Sequence, residues 1–177
     1  YTLTLSGILS GSGNLTINSP TTNTGTVIFT GANTYTGTTT ISAGTLQIGS
    51  GLTTGVLGTG AITNNAALIF NRSNDFTVAS KITGTGSMTK EGSGALTLTS
   101  NNTFSGGTTV NAGILILSDS YGIPGDGVLS GTLTVNANGV VQLKNNPGAF
   151  GWNTRVSTLN INGGLVEAIG SGPQHIW

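Results

Sequence analysis

The sequence contains no cysteine and very little charge. Its 177 residues include 5 Lys or Arg and 5 Asp or Glu, so the formal net charge is zero and charged residues make up 6% of the chain. An ordinary soluble domain has about 25% charged residues. The lack of cysteine excludes a disulfide scaffold, a zinc site with thiolate ligands and a cysteine nucleophile. Five basic residues do not neutralise a run of phosphates, so nucleic-acid binding driven by counterion release is excluded as well.

Long apolar runs and helical periodicity are also missing. No stretch approaches about 18 consecutive apolar residues, so we expect no segment to insert into a membrane as a helix. No window places apolar residues at i, i+3, i+4 and i+7. Disorder is not expected either, because Leu, Ile, Val and Phe make up roughly a quarter of the chain, above the level of about 20% that is typical of disordered proteins.

Alternation of apolar and small polar residues with a period of two fills the sequence instead. The alternating segments begin roughly every ten residues, and clusters of Gly, Asn, Ser or Thr separate them as turns do. Each apolar pair predicts a short strand with one apolar face. The pairs are Leu3/Leu5, Leu15/Ile17, Val27/Phe29, Leu46/Ile48, Leu68/Phe70, Phe76/Val78, Leu96/Leu98, Leu115/Leu117, Leu133/Val135, Val141/Leu143 and Leu159/Ile161. We therefore predict an all-β chain.

An internal repeat indicates which β architecture the chain adopts. Residues 25–48 align without a gap with residues 94–117 at an offset of 69, and the wider copies span about 11–57 and 84–129. A long repeat that contains several strands is typical of a solenoid, in which each turn contacts only its neighbours. With about 20–25 residues per turn, residues 1–177 form a single solenoid segment of roughly seven to nine turns. A β-sandwich made from a meander of hairpins is the alternative fold.

Stacking of turns explains why charge is scarce. Equivalent positions in successive turns lie about 4.8 Å apart. A charged residue repeated at such a position would therefore lie next to a residue of the same charge and be repelled by it. Asn, Thr and Ser form hydrogen-bonded ladders at that spacing, as they do in cross-β stacks. We therefore expect the polar columns of the solenoid to consist of these residues.

The most regular segment resembles a known bacterial repeat. Residues 31–46 read GANTYTGTTTISAGTL, and residues 102–113 repeat the same order with Phe in place of Tyr. This order resembles the autotransporter-associated β-strand repeat of passenger domains that Gram-negative bacteria export by type V secretion. The resemblance implies a right-handed parallel β-helix displayed at or released from the cell surface, and it implies no catalytic residue. The motif residues interpreted as structural are Asn33, Tyr35, Gly37 and Gly44, with their equivalents Asn102, Phe104, Gly106 and Gly113.

Candidate catalytic and metal-binding residues are few. Asp119 and Asp126 share one loop and are the candidates for a calcium site, although solvated loop acids are the favoured interpretation. His175 is the single histidine and is interpreted as a surface residue, which leaves a hydrolytic triad without a base. We predict no catalytic residue, no metal and no cofactor, and therefore no enzyme.

Two charged pairs are interpreted as turn residues. Lys90 and Glu91 are adjacent in the sequence and predict a solvated turn dipeptide. Arg72 and Asp75 are three residues apart and predict a pair within one turn.

Three features are candidate binding surfaces. Trp152, close to Phe150, is the candidate for stacking on sugar rings. Alternating threonines such as Thr36, Thr38 and Thr40 form a possible ice-binding face, although Thr is also an ordinary outward residue of strands. The third feature is an uncapped end of the solenoid, whose unpaired backbone groups are available to another copy of the chain.

The leading hypothesis is a non-enzymatic stalk or adhesin segment, cut from a longer secreted passenger and found outside the cell or on the outer surface of a Gram-negative bacterium. Its expected partners are other copies of itself, end to end or laterally, surface glycans, or the surface of a host or neighbouring cell. It neither binds nucleic acid nor inserts into a membrane. One alternative is a carbohydrate-binding or carbohydrate-active module that uses Trp152. Another is an ice-binding protein with a threonine ladder.

Overall fold

A computed structural model describes residues 1–19, 25–118, 129–144 and 156–169. These residues form fifteen strands and contain no helix, so the predicted all-β class is confirmed. The strands are β1 (Thr2–Leu5), β2 (Leu15–Ile17), β3 (Thr26–Phe29), β4 (Thr39–Ile41), β5 (Thr45–Ile48), β6 (Ile62–Asn64), β7 (Ala67–Asn71), β8 (Phe76–Val78), β9 (Ile82–Thr83), β10 (Ser87–Glu91), β11 (Ala95–Leu98), β12 (Thr108–Leu117), β13 (Gly131–Lys144), β14 (Val156–Asn162) and β15 (Leu165–Ile169).

Eight strand segments stack in parallel along one side of the molecule, which we call face 1. Their order is β1, β3, β5, β7, β10, the first part of β12, the first part of β13 and β14. One step along this row advances the chain by 19 residues where Val27 pairs with Leu46 and by 26 residues where Leu133 pairs with Leu159. Each step is therefore one turn of a parallel β-solenoid.

Counted by the segments on face 1 that pair with a neighbour on both sides, the solenoid has about six turns, slightly fewer than the seven to nine predicted. Six of the eight segments on face 1 pair with a neighbour on both sides. The first and last segments, in β1 and β14, pair on one side only among the described residues. The prediction overcounted because these end strands are not enclosed between two other turns.

Two further faces complete each turn. Face 2 contains β8, β11, the second part of β12, the second part of β13 and β15. Face 3 contains β2, β4, β6 and β9. The long strands β12 and β13 cross the corner between faces 1 and 2, where their pairing shifts register between Val110 and Ala112.

The core consists of apolar columns that run along the solenoid axis. On face 1, Leu46, Leu68 and Met88 stack in one column, each at most 1% exposed. In the turns between the first and the last, alternating pairs found in the sequence are buried as predicted, among them Leu96/Leu98 and Leu115/Leu117 on face 2. Because the inward positions of each strand lie directly over those of the preceding turn, the apolar pattern of one turn is repeated in the next.

A column of glycines lies at one corner of the solenoid. Gly13, Gly37 and Gly60 occupy it in three successive turns. A Cβ atom on Gly37 would overlap the carbonyl oxygen of Gly13, and one on Gly60 would overlap the carbonyl oxygen of Gly37. A Cβ atom on Gly13 would meet nothing within 4 Å, because Gly13 belongs to the first turn. Glycine is therefore required at the positions of this column where the backbone of the preceding turn leaves no room for a side chain.

We predict that Gly37→Ala destabilises the chain while Gly13→Ala does not. The methyl group at residue 37 displaces backbone rather than a flexible side chain, which costs about 1–3 kcal/mol or more, whereas Gly13→Ala stays within about 0.5 kcal/mol of the parent chain. Urea unfolding followed by circular dichroism measures both. Equal effects of the two substitutions would contradict the stacking of these turns.

Candidate functional site

The two repeat copies lie on different faces of the solenoid. β3 is on face 1, but its equivalent at the 69-residue offset, β11, is on face 2. β4 is on face 3, and its equivalent segment at the start of β12 is on face 1. The offset corresponds to about three and a third turns, so the second copy starts one face further around. The motif therefore specifies a strand, a corner and two more strands. This unit begins on face 1 in the first copy and on face 2 in the second.

Asn33 and Asn102 make the same bond in the two copies. Oδ1 of Asn33 accepts the backbone N–H of Leu9 at 2.8 Å, and Oδ1 of Asn102 accepts that of Ile82 at 2.8 Å. Nδ2 of Asn33 also donates to the carbonyl oxygen of Val56 at 2.8 Å. Both asparagines are buried, so each satisfies a backbone N–H of the preceding turn inside the solenoid.

The aromatic motif residues Tyr35 and Phe104 are both buried, at 3% and 0% exposed. The Tyr35 hydroxyl forms a buried hydrogen bond of 2.7 Å with Oγ1 of Thr39. In the second copy the equivalent pair is Phe104 and Thr108, and Phe104 has no hydroxyl. Oγ1 of Thr108 is buried and has no hydrogen-bond partner within the described ranges. The replacement of Tyr by Phe thus coincides with an unsatisfied hydroxyl.

The four motif glycines lie at two kinds of position. A Cβ atom on Gly37 or on Gly106 would collide with backbone of the preceding turn, at Gly13 and Gly86 respectively. Gly44 and Gly113 have φ angles of 84° and 68°, in the left-handed region that glycine adopts without a steric penalty.

Lys90 lies inside the solenoid, so the predicted solvated turn is wrong. Its side chain occupies the inward column between Phe70 and Val110 and is only 2% exposed. Nζ donates to the carbonyl oxygens of Glu91 at 2.5 Å, Gly92 at 2.7 Å and Ala112 at 3.1 Å. Burial lowers the pKa of Lys90 to about 8, although the charge of Glu91 acts in the opposite direction. All three donors of the ammonium group are therefore satisfied.

A ladder of side chains begins at Glu91, which points outward. Nδ2 of Asn111 donates to Oε1 of Glu91 at 2.5 Å, Asn136 donates to Oδ1 of Asn111 at 2.6 Å, and Asn162 donates to Oδ1 of Asn136 at 3.1 Å. Every bond runs in the same direction, from a later turn to an earlier one. The expected amide ladder is thus present, and its first member is the acidic residue, which only accepts when ionised.

Arg72 and Asp75 do not form the predicted turn pair. Arg72 donates to the carbonyl oxygens of Thr53 and Gly55, both at 2.6 Å, and its guanidinium lies 4.6 Å from the ring centroid of Phe76. Asp75 accepts the backbone N–H of Ala95 at 3.1 Å. Arg72 therefore anchors the loop of the preceding turn, while Asp75 contacts the following one.

Comparison with known proteins assigns the repeat. The family model described as passenger-associated-transport-repeat matches residues 21–48 and 88–117. Two stretches that make up about a third of the chain thus match this repeat model. Uncharacterized protein YuaQ of Escherichia coli (strain K12) is 41% identical over 64 residues, which are 36% of this chain and 5% of YuaQ. The chain thus spans a small part of the length of this relative. No solved structure matches the chain significantly.

Four threonines form one column on face 3. Thr16, Thr40, Thr63 and Thr83 are register partners in successive turns. Thr36 and Thr38 are exposed on the segment before Thr40, and the N–H of Thr38 bonds to Oδ1 of Asn14 at 2.9 Å. The threonine column is therefore flanked by mixed residues and not by a second column of threonines.

Several candidates lie outside the described residues. They are Asp119, Asp126, Phe150, Trp152 and His175. Within the described ranges, no three His, Cys, Asp or Glu side chains are grouped as ligands of a metal ion. The same ranges contain no helix of the length and apolarity needed to cross a membrane.

Apolar side chains are exposed in the first and last turns that the described residues form. In the first turn, Leu3 is 50% exposed and Ile8 is 64% exposed. In the last turn, Leu159, Ile161 and Leu165 are 40%, 51% and 48% exposed. Leu3, Leu159 and Ile161 occupy register positions that are core positions in the turns between.

We predict that Phe104→Tyr stabilises the chain by about 1 kcal/mol, because the new hydroxyl gives Oγ1 of Thr108 the partner that Thr39 has. The reverse change in the first copy, Tyr35→Phe, destabilises by about 1–2 kcal/mol by leaving Thr39 unsatisfied. Urea unfolding midpoints measure both. In a Thr108→Val background the gain from Phe104→Tyr should vanish. A loss of stability in Phe104→Tyr would contradict the equivalence of the two pairs.

Proposed function

We propose that the chain is a non-enzymatic stalk segment of a passenger that Gram-negative bacteria secrete or display on their surface. Two features support this proposal, the pair of passenger-associated-transport repeats and the parallel stacking of every turn on its neighbours. The observation that carries it is the continuous row of paired strands on face 1. Such a row keeps the parts of the protein on its two sides at a fixed distance from each other.

Stiffness follows from how the turns are joined. Seven steps of about 4.8 Å give the row a length of roughly 34 Å. Parallel backbone hydrogen bonds join each strand on face 1 to the next, and buried side chains such as Asn33 add bonds between turns. Bending the solenoid would open these bonds on one side, so the segment acts as a spacer.

Self-association through the ends forms the second half of the proposal. The sides of the solenoid carry Thr, Asn and Ser columns, whereas the exposed Leu and Ile side chains of the first and last turns lie at its two ends. Unpaired strand edges with apolar side chains bind further strands unless they are covered. Where no further turn of the same protein covers them, the ends are the surfaces at which a second copy gains most.

Pulling a single molecule from its two termini tests the stalk role. Because each turn contacts only its neighbours, we predict a series of extension steps, each releasing one turn. Turns of 19 to 26 residues give steps of about 60–90 Å at 3.3–3.6 Å per residue. One force peak that releases the whole chain would indicate a single globular unit and would contradict the proposal.

A further inference from the structure

We propose that face 2 binds an extended peptide strand in a gap between two consecutive turns, where the bound strand pairs with the open edge of β8. The partner is an uncharged segment of another polypeptide in which apolar and small polar residues alternate. Peptide binding goes beyond the stalk role and does not depend on it, because the row of strands on face 1 runs past this gap unbroken.

β8 is the first strand of the row on face 2. It pairs with β11 of the following turn, where Thr77 lies beside Thr97. On its other side β8 pairs with no strand among the described residues. The preceding turn passes this side as the segment 56–59, and residues 60–75, which join that segment to β8, are all described. The turns on both sides of β8 are therefore in place, and its open edge is not an end of the solenoid.

The backbone of β8 directs one residue toward the gap. The carbonyl oxygen of Val78 accepts the N–H of Thr99 at 3.3 Å, so Val78 is bonded to the following turn. In a parallel pair, alternate residues of a strand direct their N–H and C=O groups to the same neighbour. Those of Thr77 therefore point toward the preceding turn, and within the described ranges they have no hydrogen-bond partner.

The opposite wall of the gap also presents an unpaired residue. Val56 is bonded to the turn before it, since its N–H donates to Gly31 at 3.1 Å and its carbonyl oxygen accepts Nδ2 of Asn33 at 2.8 Å. The N–H and C=O of the next residue, Leu57, therefore point toward β8. In the part of the chain that the structure describes, neither group is bonded. Two backbone edges thus face each other without pairing.

Side-chain hydrogen bonds hold the two turns together on either side of the gap. On one side Arg72 donates to the carbonyl oxygen of Gly55 at 2.6 Å. On the other side Oγ of Ser80 donates to the carbonyl oxygen of Thr59 at 3.0 Å. Between these two contacts no backbone hydrogen bond joins the walls among the described residues. The opening is therefore confined to the length of one short strand.

An apolar cavity of about 280 Å³ opens at this gap. Its apolar lining comes from Val56, Leu57, Ile62, Phe76 and Val78, and no residue that lines it carries a charge. An apolar cavity of about 150 Å³ holds one benzene ring, so this one has room for one or two apolar side chains. A charged side chain would lose its hydration there without gaining a partner, so the occupant is uncharged.

An extended peptide matches both features of the gap. Its backbone N–H and C=O groups pair with an open strand edge, and its alternate side chains point to one side, into the cavity. The pattern that fits is shown by β11, whose residues Leu96, Thr97 and Leu98 already pair with the other edge of β8. A bound strand with the same order of apolar, small polar and apolar residues would extend the row on face 2 by one strand.

Two peptides test the proposal. The probe is the end-blocked peptide Ala-Leu-Thr-Leu-Thr, which has the sequence of residues 95–99. The control peptide has the same side chains and an N-methyl group on every backbone nitrogen, so it cannot donate to a strand edge. Binding to the full chain is followed by the shifts of its amide resonances up to about 1 mM peptide.

We expect the probe to cause saturable shifts at the amides of Leu57 and Thr77, and we expect the N-methylated peptide to bind about tenfold more weakly or less, because its backbone cannot pair. Equal binding of the two peptides would assign the cavity to small apolar molecules and overturn the strand site. Absence of saturable shifts at these two residues would overturn it as well.

A substitution at Thr77 tests the edge of β8 from the side of the protein. Thr77→Pro removes the N–H that points into the gap, and proline is accepted on a strand edge whose N–H makes no ladder bond. We expect probe binding to weaken about three- to tenfold, as it does when one hydrogen bond is lost. Thr77→Ala is the matched control, because it shortens the same exposed side chain, keeps the N–H and should bind as the parent chain does.

Circular dichroism verifies the fold of both variants, and the N-methylated peptide tests the same contact in the unchanged chain. Equal affinity of Thr77→Pro and Thr77→Ala for the probe would overturn the role of the β8 edge. The stalk role is tested separately by the single-molecule experiment. Stepwise extension together with absent peptide binding would therefore reject only this inference.

Discussion

The stacking of each turn directly over the preceding one is the constraint on which the rest of the structure depends. At a spacing of about 4.8 Å, a residue contacts its counterpart in the neighbouring turn as closely as its own strand neighbours. Apolar residues therefore form columns, as Leu46, Leu68 and Met88 do, and amides form ladders, as Asn111 and Asn136 do. The low charge and high glycine content follow from the same spacing.

Two buried polar side chains show which polar groups the stacked turns can enclose. Lys90 interrupts an apolar column, yet its ammonium group donates to two carbonyl oxygens of the corner that follows it and to one of the next turn, that of Ala112. Thr108 interrupts the neighbouring column, and within the described ranges its hydroxyl has no partner. The solenoid therefore accepts a buried charge where the backbone supplies acceptors, and it carries an unsatisfied group where the second repeat copy has lost the tyrosine of the first.

The class and the stacking could be predicted from the sequence, because alternation with a period of two reports directly on burial. The same parity places Lys90 inside, since Met88 and Lys90 stand in the positions of Leu68 and Phe70, whereas the turn-like Lys-Glu dipeptide favours a solvated side chain. The shift of the repeat by one face depends on how the 69-residue offset compares with the length of a turn, which varies from 19 to 26 residues in the structure. The polarity of the side-chain ladder depends on register, which composition does not contain.

Residue-resolved amide hydrogen exchange tests the central claim most directly, at a concentration where the chain is monomeric. If stability comes from contacts between neighbouring turns, protection should be highest in β7, β10 and the first part of β12, which have turns on both sides. It should fall steadily toward β1 and β14, which pair on one side only among the described residues. Equal protection of all strands on face 1, with one common opening free energy, would contradict a solenoid of stacked turns.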